Sequence, residues 1–136
     1  MPVFSTGGGG SSGPTTQVVQ TFACPGAVAV GDAVYQTAVA DTVDKALMAA
    51  GVTQTPEAIG IVIVKPTATT CTVVLFGLAA VPGALVAGSI YYVSNAVAGG
   101  ITATPPSSKG EKIQRIGVAV NATLIDVDPD LTSVVV

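Results

Sequence analysis

Apolar residues run in short stretches of four to eight, and turn-forming residues separate them along the whole chain. Residues 17–22 form a β-prone run. Residues 27–30 lead to a turn at Gly31 and Asp32, and 33–39 continue as a strand that carries Tyr35. Residues 59–64 are an almost unbroken β-branched run, the pattern of a strand buried on both faces or along a sandwich core. Residues 65–70 read as its turn and 71–78 as the return strand, a hairpin with a longer loop. Downstream, 90–94 is a strand, 95–100 a turn, and 101–104 a short strand stopped by Pro105 and Pro106. Residues 113–120 then pair with 123–127 across a two-residue connection at Asn121 and Ala122. The pattern predicts an all-β fold.

The pattern also occurs twice. Val30-Gly31-Asp32-Ala33-Val34-Tyr35 returns as Ala87-Gly88-Ser89-Ile90-Tyr91-Tyr92, and Ala58-Ile59-Gly60-Ile61-Val62 as Arg115-Ile116-Gly117-Val118-Ala119. Gly31 to Gly60 and Gly88 to Gly117 both span 29 residues, so one offset of 57 aligns both pairs. Two similar β units are implied, at about 27–78 and 84–127, within a β domain of 17–130. Gly31 and Gly88 stand where a turn needs positive φ. Gly60 and Gly117 interrupt β-branched strands, where glycine marks a bulge or a close backbone approach. They suggest equivalent crossing points in a small barrel with internal pseudo-twofold symmetry. Tyr35 and Tyr92 are expected to close opposite ends of the core, and Ile61 and Val118 to fill it.

Residues 41–51 admit two readings. Asp41 would cap a short helix that puts Val43, Leu47 and Ala50 on one face and stops at Gly51. The repeat instead aligns this stretch with 100–103, which is strand-like, and the balance tips toward strand.

Residues 1–16 form an arm. An apolar tip at Val3 and Phe4 precedes four consecutive glycines, two serines, Gly13 and Pro14. Such a run has high chain entropy and little to pack, so it takes order only against a neighbour. At the other end, the uncharged tail 131–136 finishes in Val134, Val135 and Val136. Both ends are expected to make contacts between subunits, the tail by adding a strand to a neighbour's sheet edge.

Composition sharpens this expectation. Charged residues are only 10% while apolar residues reach 49%, against about 25% charged in an average soluble domain. A surface so poor in charge suggests coverage by partners. Five basic residues and a net charge of −3 argue against nucleic acid, which needs a basic patch. No stretch approaches the roughly 18 apolar residues of a membrane span. Without a secretory pattern, Cys24 and Cys71 are expected to be free thiols.

Catalytic chemistry is sparse. The chain has no histidine, which removes the commonest general base and most zinc sites. Cys24 and Cys71 lack a base and any ligand spacing. Asp126, Asp128 and Asp130 alternate but lack the glycine and distal glutamate of a calcium loop, and Pro129 breaks the strand. Asn121-Ala122-Thr123 is a common chance tripeptide. No catalytic residue, metal ligand or cofactor is expected, and the chain is not expected to be an enzyme.

The text VGDAVYQTAVADTVDKA, PEAIGIVIVKPTATTCTVVLFG, PGALVAGSIYYVSNAVAGGITATPP and KIQRIGVAVNATLIDVDPD, over about residues 20–130, resembles small structural proteins of tailed bacteriophages. The resemblance extends to capsid decoration, or cement, proteins. It implies a β-barrel or β-tulip-like sandwich, trimeric or otherwise homo-oligomeric on the capsid exterior, with the arm reaching across subunits of a major capsid protein. The same text also fits a small β module of a tail or fibre protein that binds host or glycan.

Overall fold

The computed structural model describes residues 17–50 and 57–136. Among them there is no helix. The strands are β1 (Val18–Ala23), β2 (Ala33–Gln36), β3 (Val43–Lys45), β4 (Gly60–Thr67), β5 (Thr70–Ala80), β6 (Ile90–Val93), β7 (Ile101–Thr102), β8 (Lys112–Ile113), β9 (Arg115–Ala119), β10 (Leu124–Val127) and β11 (Val134–Val135). One antiparallel sheet runs β3-β2-β4-β5-β10-β9-β6-β7 and curls into a half-barrel, with β1 also paired to β5. A separate ribbon joins β8 and β11. Glycine-poor β-branched strands between tight turns make this arrangement, as their pattern demands.

Several ladder and turn bonds of the two units correspond. Val34 faces Gly60 and Tyr91 faces Gly117, the second pair 57 residues on from the first. The Gly31 amide donates to the Val62 carbonyl at 2.8 Å, and the Gly88 amide to the Ala119 carbonyl at 2.8 Å. Gly31 and Gly88 sit at φ 95° and 84°, a region open to glycine without the Cβ penalty.

The long strand β5 belongs to both units. Its first half lies between β4 and β1, and its second half, from Gly77 at φ 107°, pairs with β10. Cys24 donates to the Thr69 carbonyl, and 57 residues later Val81 donates to that of Thr123. So β1 closes the first unit as the end of β5 closes the second.

This sharing corrects the expected twofold. Phe22, Cys24, Val28, Val34, Ile59 and Val62 pack in or against one core. Their counterparts Ala79, Val81, Leu85, Tyr91, Ile116 and Ala119 pack in or against another. A twofold would bring equivalent faces into one core. Here the back face of the first unit, with Ala33, Ala58, Ile61 and Val74, fills the core of the second. The units stack head to tail. The first unit is therefore buried on both faces at Ile61 and Val62, the centre of the apolar run 59–64, while Val64 at its end is exposed. On the second unit's back face, Ile90 and Arg115 replace Ala33 and Ala58, and both are exposed. The stack ends there, with Arg115 and Ile90 on its outer face.

The strand reading of 41–51 holds, and other local expectations shift. Residues 41–51 contribute the strand β3, laddered to β2 with Val43 fully buried; Gly51 lies outside the described residues. Strands β4 and β5 run closer together than expected, leaving only Ala68 and Thr69 between them. The Thr67 and Thr70 hydroxyls meet at 2.8 Å and Lys65 Nζ donates to the Ala68 carbonyl, which tightens that turn. The β9–β10 connection is four residues, 120–123, because Asn121 Oδ1 accepts from the Thr123 and Leu124 amides. Strand β2 ends at Gln36, whose side chain donates to the carbonyls of Thr37 and Val39.

Ile61 is fully buried, and Tyr35 packs half-buried against the same core. Tyr92 and Val118 are half-buried and belong to neither core. The buried tyrosine among the described residues is Tyr91, whose hydroxyl accepts from the Val86 amide at 2.9 Å.

Candidate interaction surface

The surface carries more apolar bulk than its charge count would suggest. Among the described residues, Val39 and Val97 stand out at 65% and 63% exposure, in equivalent turns of the two units. Val18, Phe76 and Leu131 are exposed close to one another, around the junction where β1 and β10 share an edge of β5. There an open groove of about 410 Å³ is lined by Ile59, Leu75, Phe76, Asp128, Pro129 and Leu131. It opens onto the first core, against which Ile59 and Leu75 pack half-buried.

The groove's position follows from the tandem. Ile116, the counterpart of Ile59, is fully buried because the first unit stacks over it. No described unit precedes the first one, so Ile59 stays partly open. The rim is acidic: Asp128 lies 3.9 Å from Arg115, and Asp130 lies nearby. Both members of that pair are exposed, so it adds little to stability.

Of the expected contact residues, Val3, Phe4 and Pro14 lie outside the described residues. Val134, Val135 and Val136 are exposed, yet their backbone is already engaged. Val134 and Val135 pair with Ile113 and Lys112 of the same chain, and Val136 exchanges bonds with Glu111 and Gly110. The expected addition of this strand to a neighbour can therefore use only its outer edge.

Gly60 and Gly117 stand where a neighbouring strand's backbone comes close. A Cβ on Gly60 would lie 2.1 Å from the Val74 carbonyl oxygen, and one on Gly117 would lie 2.2 Å from that of Asp126. A register shift in the β9–β6 ladder falls between Arg115 and Gly117.

The titratable groups do structural work. Glu57 is held below its usual range by the Ser133 hydroxyl, and Glu111 by the Asn95 amide. Burial raises Asp32, although its carboxylate accepts from the Ala29 amide and faces Lys45 at 4.0 Å. Cys24 and Cys71 are free and buried. Burial and the neighbouring Cys24 thiol push Cys71 up to about 12, so it stays a protonated, inert thiol near neutral pH. No group of three or more metal-ligating side chains occurs among the described residues. No helix among them is long and apolar enough to cross a membrane.

Sequence reading did not single out Gln114. It is 1% exposed, and its side-chain amide bonds both backbone groups of Ala58. Its position 57 residues after Glu57 was the available signal. No protein-family model, curated protein or solved structure matches this chain.

Proposed function

We propose that this chain is a structural virion protein, a capsid decoration or cement protein that binds the outside of a shell of major capsid protein and stabilises it. The observation that carries the reading is the surface. Fourteen large apolar side chains are exposed among the described residues, in a chain with five basic and eight acidic residues altogether. A surface of this kind is suited to being covered. The sequence resemblance to phage structural proteins supplies the shell as the cover.

Cementing follows from mass action. A protein that binds the assembled shell in preference to free subunits shifts the equilibrium toward assembly. Many modest contacts per particle add up through avidity. The chain acts without cofactor, and self-association into a homo-oligomer would multiply its contacts.

The test is a shell assembled with and without the chain. Shells that carry it should survive to higher temperature, with immunogold label spread over the head. Equal melting of both shells would sink the cement reading. Label confined to the tail would favour the tail or fibre module instead.

A further inference from the structure

Among the described residues, the groove beside Phe76 leaves the first core partly open, at Ile59 and Leu75. In the second unit the corresponding opening is covered by the chain that precedes it, namely the back face of the first unit. In the first unit the preceding chain is residues 1–16. Within those residues the only apolar cluster is Met1, Pro2, Val3 and Phe4, followed by a glycine- and serine-rich stretch.

The point where this segment leaves the body favours the same pairing. Gln17 Nε2 donates to the Leu78 carbonyl at 2.6 Å, and Val18 stands opposite Phe76. The chain therefore departs at the rim of the groove. From Ser5 to Thr16 is twelve residues, and a glycine- and serine-rich chain of that length has a typical end-to-end distance of about 20 Å. That length lets the tip fold back onto a site beside its own exit. Tethering at this range gives an effective concentration in the millimolar region. The groove, at about 410 Å³, is at the small end of binding sites and suits one or two side chains. Its lining of Ile59, Leu75, Phe76, Pro129 and Leu131, with Asp128 as the one charged member, suits the apolar side chains of Val3 and Phe4.

We infer that Val3 and Phe4 seat in this groove of their own chain. The tip takes the place that a preceding repeat would hold, and it covers Ile59 and Leu75. This concerns the free chain and stands or falls apart from the capsid reading, because no shell enters the test.

The experiment compares the full chain with Phe4→Ser and with Leu131→Asp, both read by methyl NMR and by thermolysin cleavage of the arm. Phe4→Ser should move the methyl signals of Leu75 and Leu131 and leave those of Ile116 and Ile125 in place. Leu131→Asp should speed cleavage before Val3 or Phe4 about tenfold, because a docked segment is cut only when it opens. Adding a synthetic peptide of residues 1–6 to the Phe4→Ser chain should restore the Leu75 and Leu131 signals. Unmoved Leu75 and Leu131 signals in Phe4→Ser would overturn the inference. So would signals that depend on protein concentration together with a dimer in light scattering, since the groove would then hold another copy's arm.

Discussion

Gln114 and Ala58 exchange two hydrogen bonds across the seam between the repeats. The Ala58 amide donates to Gln114 Oε1 at 2.7 Å, and Gln114 Nε2 donates to the Ala58 carbonyl at 2.8 Å. The side chain imitates a strand neighbour and satisfies both backbone groups of a fully buried residue. In the first unit the same place holds Glu57, which turns to Ser133 at the surface instead. The duplicated position thus serves the seam in one copy and the tail in the other.

Gln114→Ala should therefore cost roughly 2–4 kcal/mol, since it orphans two buried backbone groups and opens a cavity. Gln114→Met fills the space without making the bonds, and it should recover less than half of that loss. Urea unfolding of the three proteins measures both. A Met variant as stable as the parent would show that packing alone holds the seam.

Much of this fold is legible in the sequence for a physical reason. Strand periodicity and the glycine spacing are local signals, so the hairpins, the duplication and the all-β class can be read from residues 17–130. The stacking mode cannot. Val34 and Tyr91 are equivalent in sequence, yet they face different cores, and this depends on Gly77 switching β5 from one partner to another. A glycine at that place looks like any strand interruption. The tail is a similar case. Its apolar residues signal contact, but only the ladder of Val134 with Ile113 says that the first contact lies within the chain. The groove was out of reach because it is defined by what fails to cover Ile59.

The close approaches at Gly60 and Gly117 predict a matched pair of lesions. Gly60→Ala and Gly117→Ala each drive a methyl into a carbonyl oxygen of the neighbouring strand. Each should cost on the order of 3 kcal/mol or more, because the clash is with backbone and no rotamer relieves it. Gly83→Ala is the comparison, since nothing lies within 4 Å of its Cβ and only φ 112° opposes it. That variant should lose about 1–2 kcal/mol. Thermal melts that rank Gly83→Ala as the worst of the three would contradict the account.

Asp41 offers the opposite sign. Its φ of 53° is the one positive value of a non-glycine residue among the described residues. In the second unit the matching turn holds Gly99, at φ 80°. The turn bonds correspond: the Thr37 amide donates to the Thr42 carbonyl, as the Ser94 amide does to that of Gly100. Asp41→Gly should relieve the left-handed strain and raise stability by up to about 1 kcal/mol, partly offset by the entropy of an added glycine. A lower melting temperature for Asp41→Gly would mean that the Asp41 side chain contributes more than its backbone costs.

Acid should loosen the tail before it loosens the body. The Ser133 hydroxyl holds Glu57 below its ordinary value of 4.5, so the stability this bond supplies is present above that value and lost as pH falls through the folded-state pKa. Asp32 has the reverse sign. Burial raises it above 3.8, so its proton relieves a desolvation cost, and acid favours the folded form at that site. Lowering the pH from neutral to about 3 should therefore shift the amide NMR signals of Ser133 and Val134 with a midpoint below 4.5, while those of Ile116 and Ile125 hold. Glu57→Gln keeps an acceptor for the Ser133 hydroxyl and removes the charge, so the Ser133 transition should vanish. An unchanged Ser133 titration in Glu57→Gln would assign the acid response to Glu111, whose carbonyl accepts from the Val136 amide at 2.8 Å, and would remove Glu57 from the account.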